Sequence, residues 1–238
     1  ERSVMLRRIL NLMIVAVIVL MAGFGLVLLW MSYNNASRTV YQDREPVEGS
    51  PEDYGATDWR DVSFESADGT PISAWYIPPT EDKGPALLML HGLGDSRSIF
   101  APEAPELIAA GYGLLMIDFR GSGLSGGDRA SLGYHETEDA IAAYRFLEQQ
   151  PEVDPQRLGI YGLSMGAATA LRTMARVPEA KAVIADAPFI SVQEVVGDGV
   201  TQRTGLPPHS VSWLVVNLMN IMAEGDLYQV RPIDDVRT

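Results

Sequence analysis

The chain has 238 residues and no cysteine, and it sets 18 basic against 31 acidic side chains for a net charge of −13. The missing cysteine excludes disulfides, thiolate catalysis and cysteine metal sites, and the acidic balance excludes nucleic acid as a partner, because such a surface repels phosphate backbones. The length suits one domain with an appendage, large enough to bury a core without covalent staples.

Residues 1–8 form a basic flank through Arg2, Arg7 and Arg8. The run that follows, Ile9 to Met31, "ILNLMIVAVIVLMAGFGLVLLWM", has 23 residues and no charge, with Asn11 its one strongly polar side chain. A helix needs about 20 apolar residues to cross a hydrocarbon core, whereas the apolar part of a signal peptide has about 7–15. Residues 9–31 therefore read as a transmembrane helix, with Trp30 and Tyr33 suited to an interfacial belt. Positive flanks stay in the cytoplasm. The expectation is a single-pass protein with its amino end cytoplasmic and everything after residue 31 extracytoplasmic.

Residues 32–57 carry Asp43, Glu45, Glu48, Glu52 and Asp53, are punctuated by Pro46, Gly49, Pro51 and Gly55, and show no sustained apolar period. They read as an acidic linker, a tether. Asn35-Ala36-Ser37 matches a glycosylation acceptor, but so near the membrane it reads as chance.

From residue 58 to 238 apolar runs alternate with helical patterns. "DVSFES" and "ISAWYI" flank the turn "ADGTP" as a strand pair. "ALLMLHG" is a strand, Ser98 to Ala110 a helix with an uncertain start at Pro102 and Pro105, and "GLLMIDFRG" a further strand. "HETEDAIAAYRFLEQQ" has helical spacing, "RLGIYG" is a strand, "SMGAATALRTMAR" a helix and "AKAVIADAPF" a strand. Strands apolar on both faces between helices predict a mostly parallel sheet covered on both sides. Residues 189–225 read as a cap segment, and the apolar stretch Val211 to Met222 is too short to span a bilayer.

Gly162-Leu163-Ser164-Met165-Gly166 is G-x-S-x-G between a strand and a helix. That context makes Ser164 a candidate nucleophile on a strained turn, its flanking glycines permitting close backbone approach. His91-Gly92-Leu93-Gly94 follows another strand. The backbone amides of Leu93 and Met165 are the candidate oxyanion donors, and His91 reads as a holder of its loop. Gly121-Ser122-Gly123-Leu124-Ser125-Gly126 matches the dinucleotide fingerprint, yet no helix opens at it and position 146 lies inside a predicted helix, so no nucleotide is expected.

In order and spacing, "LMLHGLGD", "LLMIDFRGSGLSGG", "RLGIYGLSMGAATAL" and "VIADAPF" resemble the α/β-hydrolase fold in its serine-hydrolase branch. The chain looks most like membrane-anchored members near the serine aminopeptidase and dienelactone hydrolase groups. The resemblance implies an acyl-enzyme on Ser164 and an ester, thioester or amide substrate that is a small molecule or lipid-like, with no cofactor and no metal. It also implies an acid and a histidine after the nucleophile. Only His209 follows Ser164, at a helix start rather than after a last strand; His135 precedes it; Asp186 is a weaker candidate for the acid. The expectation is that the sequence holds about six of the fold's eight strands, that the acid and base lie past Thr238, and that the 238 residues alone turn over little substrate. A membrane-tethered binding module and an acyltransferase remain as alternatives.

Overall fold

The computed structural model describes residues 2–236. Six strands form one sheet in the order β1-β2-β4-β3-β5-β6: β1 Arg60–Glu65, β2 Pro71–Ile77, β3 Gly84–Leu90, β4 Gly113–Ile117, β5 Val153–Leu163 and β6 Ala182–Asp186. β1 and β2 are antiparallel to each other, and β2 to β4; β4, β3, β5 and β6 run parallel. β4 is buried along its whole length and β3 nearly so, as the unbroken apolar runs require of parallel strands covered on both faces.

One face packs on the helices α3 Glu136–Glu148 and α4 Met165–Arg176, in a core with Leu88, Leu115, Ala143, Tyr144 and Ile160. The other face holds Trp75, Met89, Phe100 and Met116 under the short helix α2 Ala104–Ala109. The helix expected over 98–110 is thus split, with a 3₁₀ turn at Arg97–Phe100 ahead of α2. Pro102 and Pro105 offer no amide to a continuous helical ladder. β5 begins earlier than expected: Val153 pairs with Gly84, and the register then shifts before Ala86 meets Leu158. Past β6 the chain folds into α5 Val192–Thr204, α6 Ser212–Ala223 and the single turn α7 Pro232–Asp235.

The amino-terminal helix departs most from the sequence reading. α1 runs unbroken from Arg2 to Val40, nine residues past the apolar run, and its last turns dock on α6. Ser32, Ala36 and Val40 are buried, the latter two in the main core. Nor is the rest of the expected tether loose. Arg44 donates to the carbonyls of Gly123, Ser125 and Gly127, the Ser96 hydroxyl to Pro46 O at 3.2 Å, and Glu48 N to the Ser98 hydroxyl at 2.8 Å. Residues 41–57 are a strap across the domain. The apolar part of α1, by contrast, is bare: Leu12, Leu20, Met21 and Leu26 all stand about two-thirds exposed. This long helix fits a single-pass anchor or a signal sequence.

Candidate active site

β3 and β5 are parallel neighbours, with Leu90 in register with Gly162. The chain leaving β3 as His91-Gly92-Leu93 therefore passes beside the chain leaving β5 as Leu163-Ser164. The approach is close: a Cβ on Gly92 would stand 3.5 Å from Cβ of Ser164 and 3.7 Å from the Leu163 carbonyl. Ser164 has φ 53° and ψ −112°, a conformation costly for a residue with a side chain. Its amide donates to Asp186 O at 2.8 Å, which ties the turn to the end of β6. Two glycines make room. A Cβ on Gly166 would lie 1.9 Å from Leu90 O, and one on Gly162 2.2 Å from Gly166 O. The turn thus forces α4 hard against the sheet, and the Ser164 side chain is left exposed while Met165 and residues 166–170 are buried.

The amide of Met165 is the first of α4, among those a helix leaves without an intrahelical acceptor. That of Leu93 has no acceptor among the described residues. Leu93, Ser164 and Met165 thus meet at one end of the sheet.

The three histidines are not brought to Ser164. His91 is fully buried; Phe119 N–H donates to its Nε2 at 2.9 Å, so the ring proton sits on Nδ1, which donates to Gly92 O at 2.6 Å. Burial pushes its pKa below 6.5, although the Gly92 carbonyl, Asp118 and Asp95 pull the other way. It is a neutral strut between the β3 and β4 loops, as its sequence position suggested. His135 precedes α3, with Nε2 3.1 Å from Ala223 O. His209 is exposed in the turn before α6. Among the described residues no imidazole or carboxylate bonds the Ser164 hydroxyl. Asp186 contributes its backbone carbonyl to the elbow, not its carboxylate.

The glycine loop 121–127 closes on its own chain. Asp118 is buried and accepts from Arg97 N at 2.8 Å, Arg97 Nη2 at 2.7 Å and Leu124 N at 2.8 Å. Burial raises its pKa, but the Arg97 hydrogen bond and charge outweigh that and hold it below the ordinary value. Gly123 fits over this carboxylate only because it lacks a Cβ, which would stand 2.1 Å from Oδ2. The following helix, α3, opens only at Glu136.

Two contributions escaped the sequence reading. Gln42, just past α1, reaches the loop after β3: a Cβ on Gly94 would be 2.7 Å from its Oε1. Leu132, at φ 53°, lines a cavity that also has Leu93 in its lining. Neither has a sequence signal, since each depends on which segments fold together.

A serine elbow between strand and helix, on a 1-2-4-3-5-6 sheet beside a glycine loop, defines the α/β-hydrolase class. Within it the chain belongs to the serine aminopeptidase S33 family, whose sequence profile matches residues 82–225. It is similar to the uncharacterized protein Rv2307c of Mycobacterium tuberculosis, 34% identical over 192 residues, or 80% of this chain and 66% of that one. The polyketide transferase ATR5 of Stachybotrys chlorohalonatus is 36% identical over 131 residues, 54% of this chain and 44% of that one. Among solved structures, the esterase Pf2001 of Pyrococcus furiosus superposes with a TM-score of 0.64 at 29% identity, covering 76% of this chain and 68% of that one. The chain therefore spans just under two thirds of the length of the Mycobacterium relative and under half of the transferase.

Proposed function

We propose that this chain carries the nucleophile and oxyanion hole of a serine hydrolase acting on a carboxylic ester, thioester or amide. Ser164 Oγ attacks the carbonyl carbon, and the amides of Leu93 and Met165 take the charge that develops on the oxygen. The tetrahedral intermediate collapses with cleavage of the bond to the alcohol, thiol or amine, which leaves carrying the proton; the acyl-enzyme that remains is cleaved by water to free the acid and restore Ser164. Each oxyanion donor contributes about 10²–10³ in rate. The proton from Ser164 passes to a base other than the three histidines of these 238 residues, since His91 is locked as a strut, His135 faces α6 and His209 stands on an exposed turn.

The observation that carries this reading is the exposed serine held at φ 53° beside the Leu93 amide, which has no acceptor among the described residues. The similar Pyrococcus esterase supports hydrolysis. The similar polyketide transferase supports a second reading, transfer of the same acyl group to an alcohol. Fluorophosphonate labelling of the full-length protein in its native membrane tests both, because both need an activated Ser164. Labelling of wild type and none of Ser164→Ala is expected. Equal labelling, or none in either, rejects the nucleophile and leaves a tethered binding module. Product analysis with added alcohol then separates hydrolysis from transfer.

The same reading makes α1 a retained anchor, with the basic end cytoplasmic and the hydrolase domain outside. Continuity of α1 into the core at Ala36 and Val40 supports an anchor over a removable signal. The cysteine-free sequence offers a direct test of orientation. In intact cells a membrane-impermeant maleimide is expected to label Asp128→Cys and not Arg7→Cys; the reverse pattern inverts the topology.

A further inference from the structure

A cavity of about 350 Å³ has Leu93 in its lining, the residue after Gly92, where an added Cβ would stand 3.5 Å from Cβ of Ser164. Its walls are Leu132, Val196 and Val200 and Val215 of α5 and α6, together with Asn35 and Thr39 of α1. A narrow crevice shares Asn35, Val200 and Val215 with it and continues along α1 to Met31 and Leu28. Those two residues belong to the apolar run of the anchor.

The distances along α1 fix where this path opens. At about 1.5 Å per residue, Asn35 lies roughly 6 Å and Thr39 roughly 12 Å beyond Met31, where the apolar run ends. The polar layer on each side of a bilayer is only about 5–8 Å deep. Asn35 thus sits at headgroup depth, and Leu28 at the level of the acyl chains. The stalk cannot swing clear, because Ala36 and Val40 are in the core, Arg203 Nη1 donates to Asn35 Oδ1 at 2.7 Å, and Ala130 N donates to Val40 O at 2.8 Å.

The path is chemically graded. The crevice is lined by Leu28, Met31, Leu206 and Val211, and the larger cavity adds Asp198, Gln202 and Arg203. The hydroxyl of Ser32, buried in the crevice, has no hydrogen-bond partner among the described residues. A buried hydroxyl without a partner is costly unless something polar visits it. α6 also leaves Trp213 and Ile221 exposed on the outside of the cap, 55% and 75% respectively, an apolar surface suited to a membrane rather than to water.

From these observations we infer that the substrate is a bilayer-resident lipid ester, whose acyl chain slides from the membrane between α1 and the cap helices α5 and α6 to bring its carbonyl to Leu93 and Ser164. This rests on the serine-hydrolase and anchor readings above. With the carbonyl at Leu93, the acyl chain lies along the cavity wall of Val196, Val200 and Val215.

Gly199 supplies the test. It lines the cavity, lies within α5, and a Cβ there would meet nothing within 4 Å. Gly199→Trp therefore fills the path without a backbone clash, and Gln202→Trp, at an exposed position on the same wall, is the second variant should the first fail to fold. The full chain is placed in phosphatidylcholine vesicles doped with a diazirine-bearing oleoyl ester, irradiated, and its adducts mapped. Adducts on residues 195–203 and 211–215 are expected for wild type and also for Ser164→Ala, because entry precedes chemistry. The tryptophan variants are expected to lose about tenfold of them, with adducts on residues 9–31 unchanged as the internal reference. Adducts confined to 9–31, or cap adducts unaffected by either tryptophan, overturn lateral entry. The readout needs no turnover, so it stays distinct from a failure of fluorophosphonate labelling, which would remove the nucleophile instead.

Discussion

At the scale of single residues the site depends on a neutral imidazole. His91 holds the loop that carries Leu93 by accepting from Phe119 N–H and donating to Gly92 O, and both bonds need one ring proton, not two. Its pKa is pushed below 6.5 by burial. In the unfolded chain the same ring titrates at the ordinary value. Below about pH 6.5 the unfolded state therefore binds a proton that the folded state refuses. The contribution of His91 is fully present above that pH and is lost as pH falls toward the folded-state value, at up to about 1.4 kcal/mol per pH unit. The detergent-solubilised wild type is expected to lose more melting temperature between about pH 7.5 and about pH 5.5 than His91→Gln does. Parallel losses in the two proteins would mean that the ring is not held neutral. His91→Gln should also cost about 1–3 kcal/mol at neutral pH if its amide cannot accept from Phe119 N–H.

Among the elements, those that chemistry marks were legible in the sequence and those that packing decides were not. The strands at 84–90, 113–117 and 182–186 and the helices at 136–148 and 165–176 were announced by apolar runs, glycine punctuation and helical spacing. The elbow was legible because close approach at Gly162 and Gly166 tolerates no side chain. The polar end of α1 was not. Over residues 32–40 only Ser32, Ala36 and Val40 are buried, and two of these three are too small or too polar to register as an apolar face. Their spacing of four was a signal, but a faint one, since Asn34, Asn35 and Ser37 between them are what a linker would use. The strap over 41–57 had less to offer still: its bonds run from Arg44, Pro46 and Glu48 to loops far along the chain. At the site, the sequence could bring Ser164, Leu93 and Met165 to one end of the sheet because strand, loop and helix fix the backbone there. The cavity was not legible, because α1, α5 and α6 build it jointly from distant segments.

On the scale of the whole molecule, α1 and the domain are one mechanical piece, and a pair of truncations should expose the join. Removing residues 1–31 takes away the bare apolar helix and leaves Ser32, Ala36 and Val40 in place. That protein is expected to leave the membrane but to melt within a few degrees of the full chain. Removing residues 1–40 also strips Ala36 and Val40 from the core, the Val40 carbonyl from Ala130 N–H and Asn35 from Arg203. Burial of those two side chains and the backbone bond are worth roughly 3 kcal/mol. For a domain of this size that lowers the melting temperature by roughly 6–12 °C. The deletion also exposes one wall of the cavity and frees the segment that brings Gln42 against Gly94. Melting temperatures that agree between the two truncations would mean that the last turns of α1 are not part of the folded unit. A drop confined to the longer deletion would make the last turns of α1 a structural element of the α/β domain.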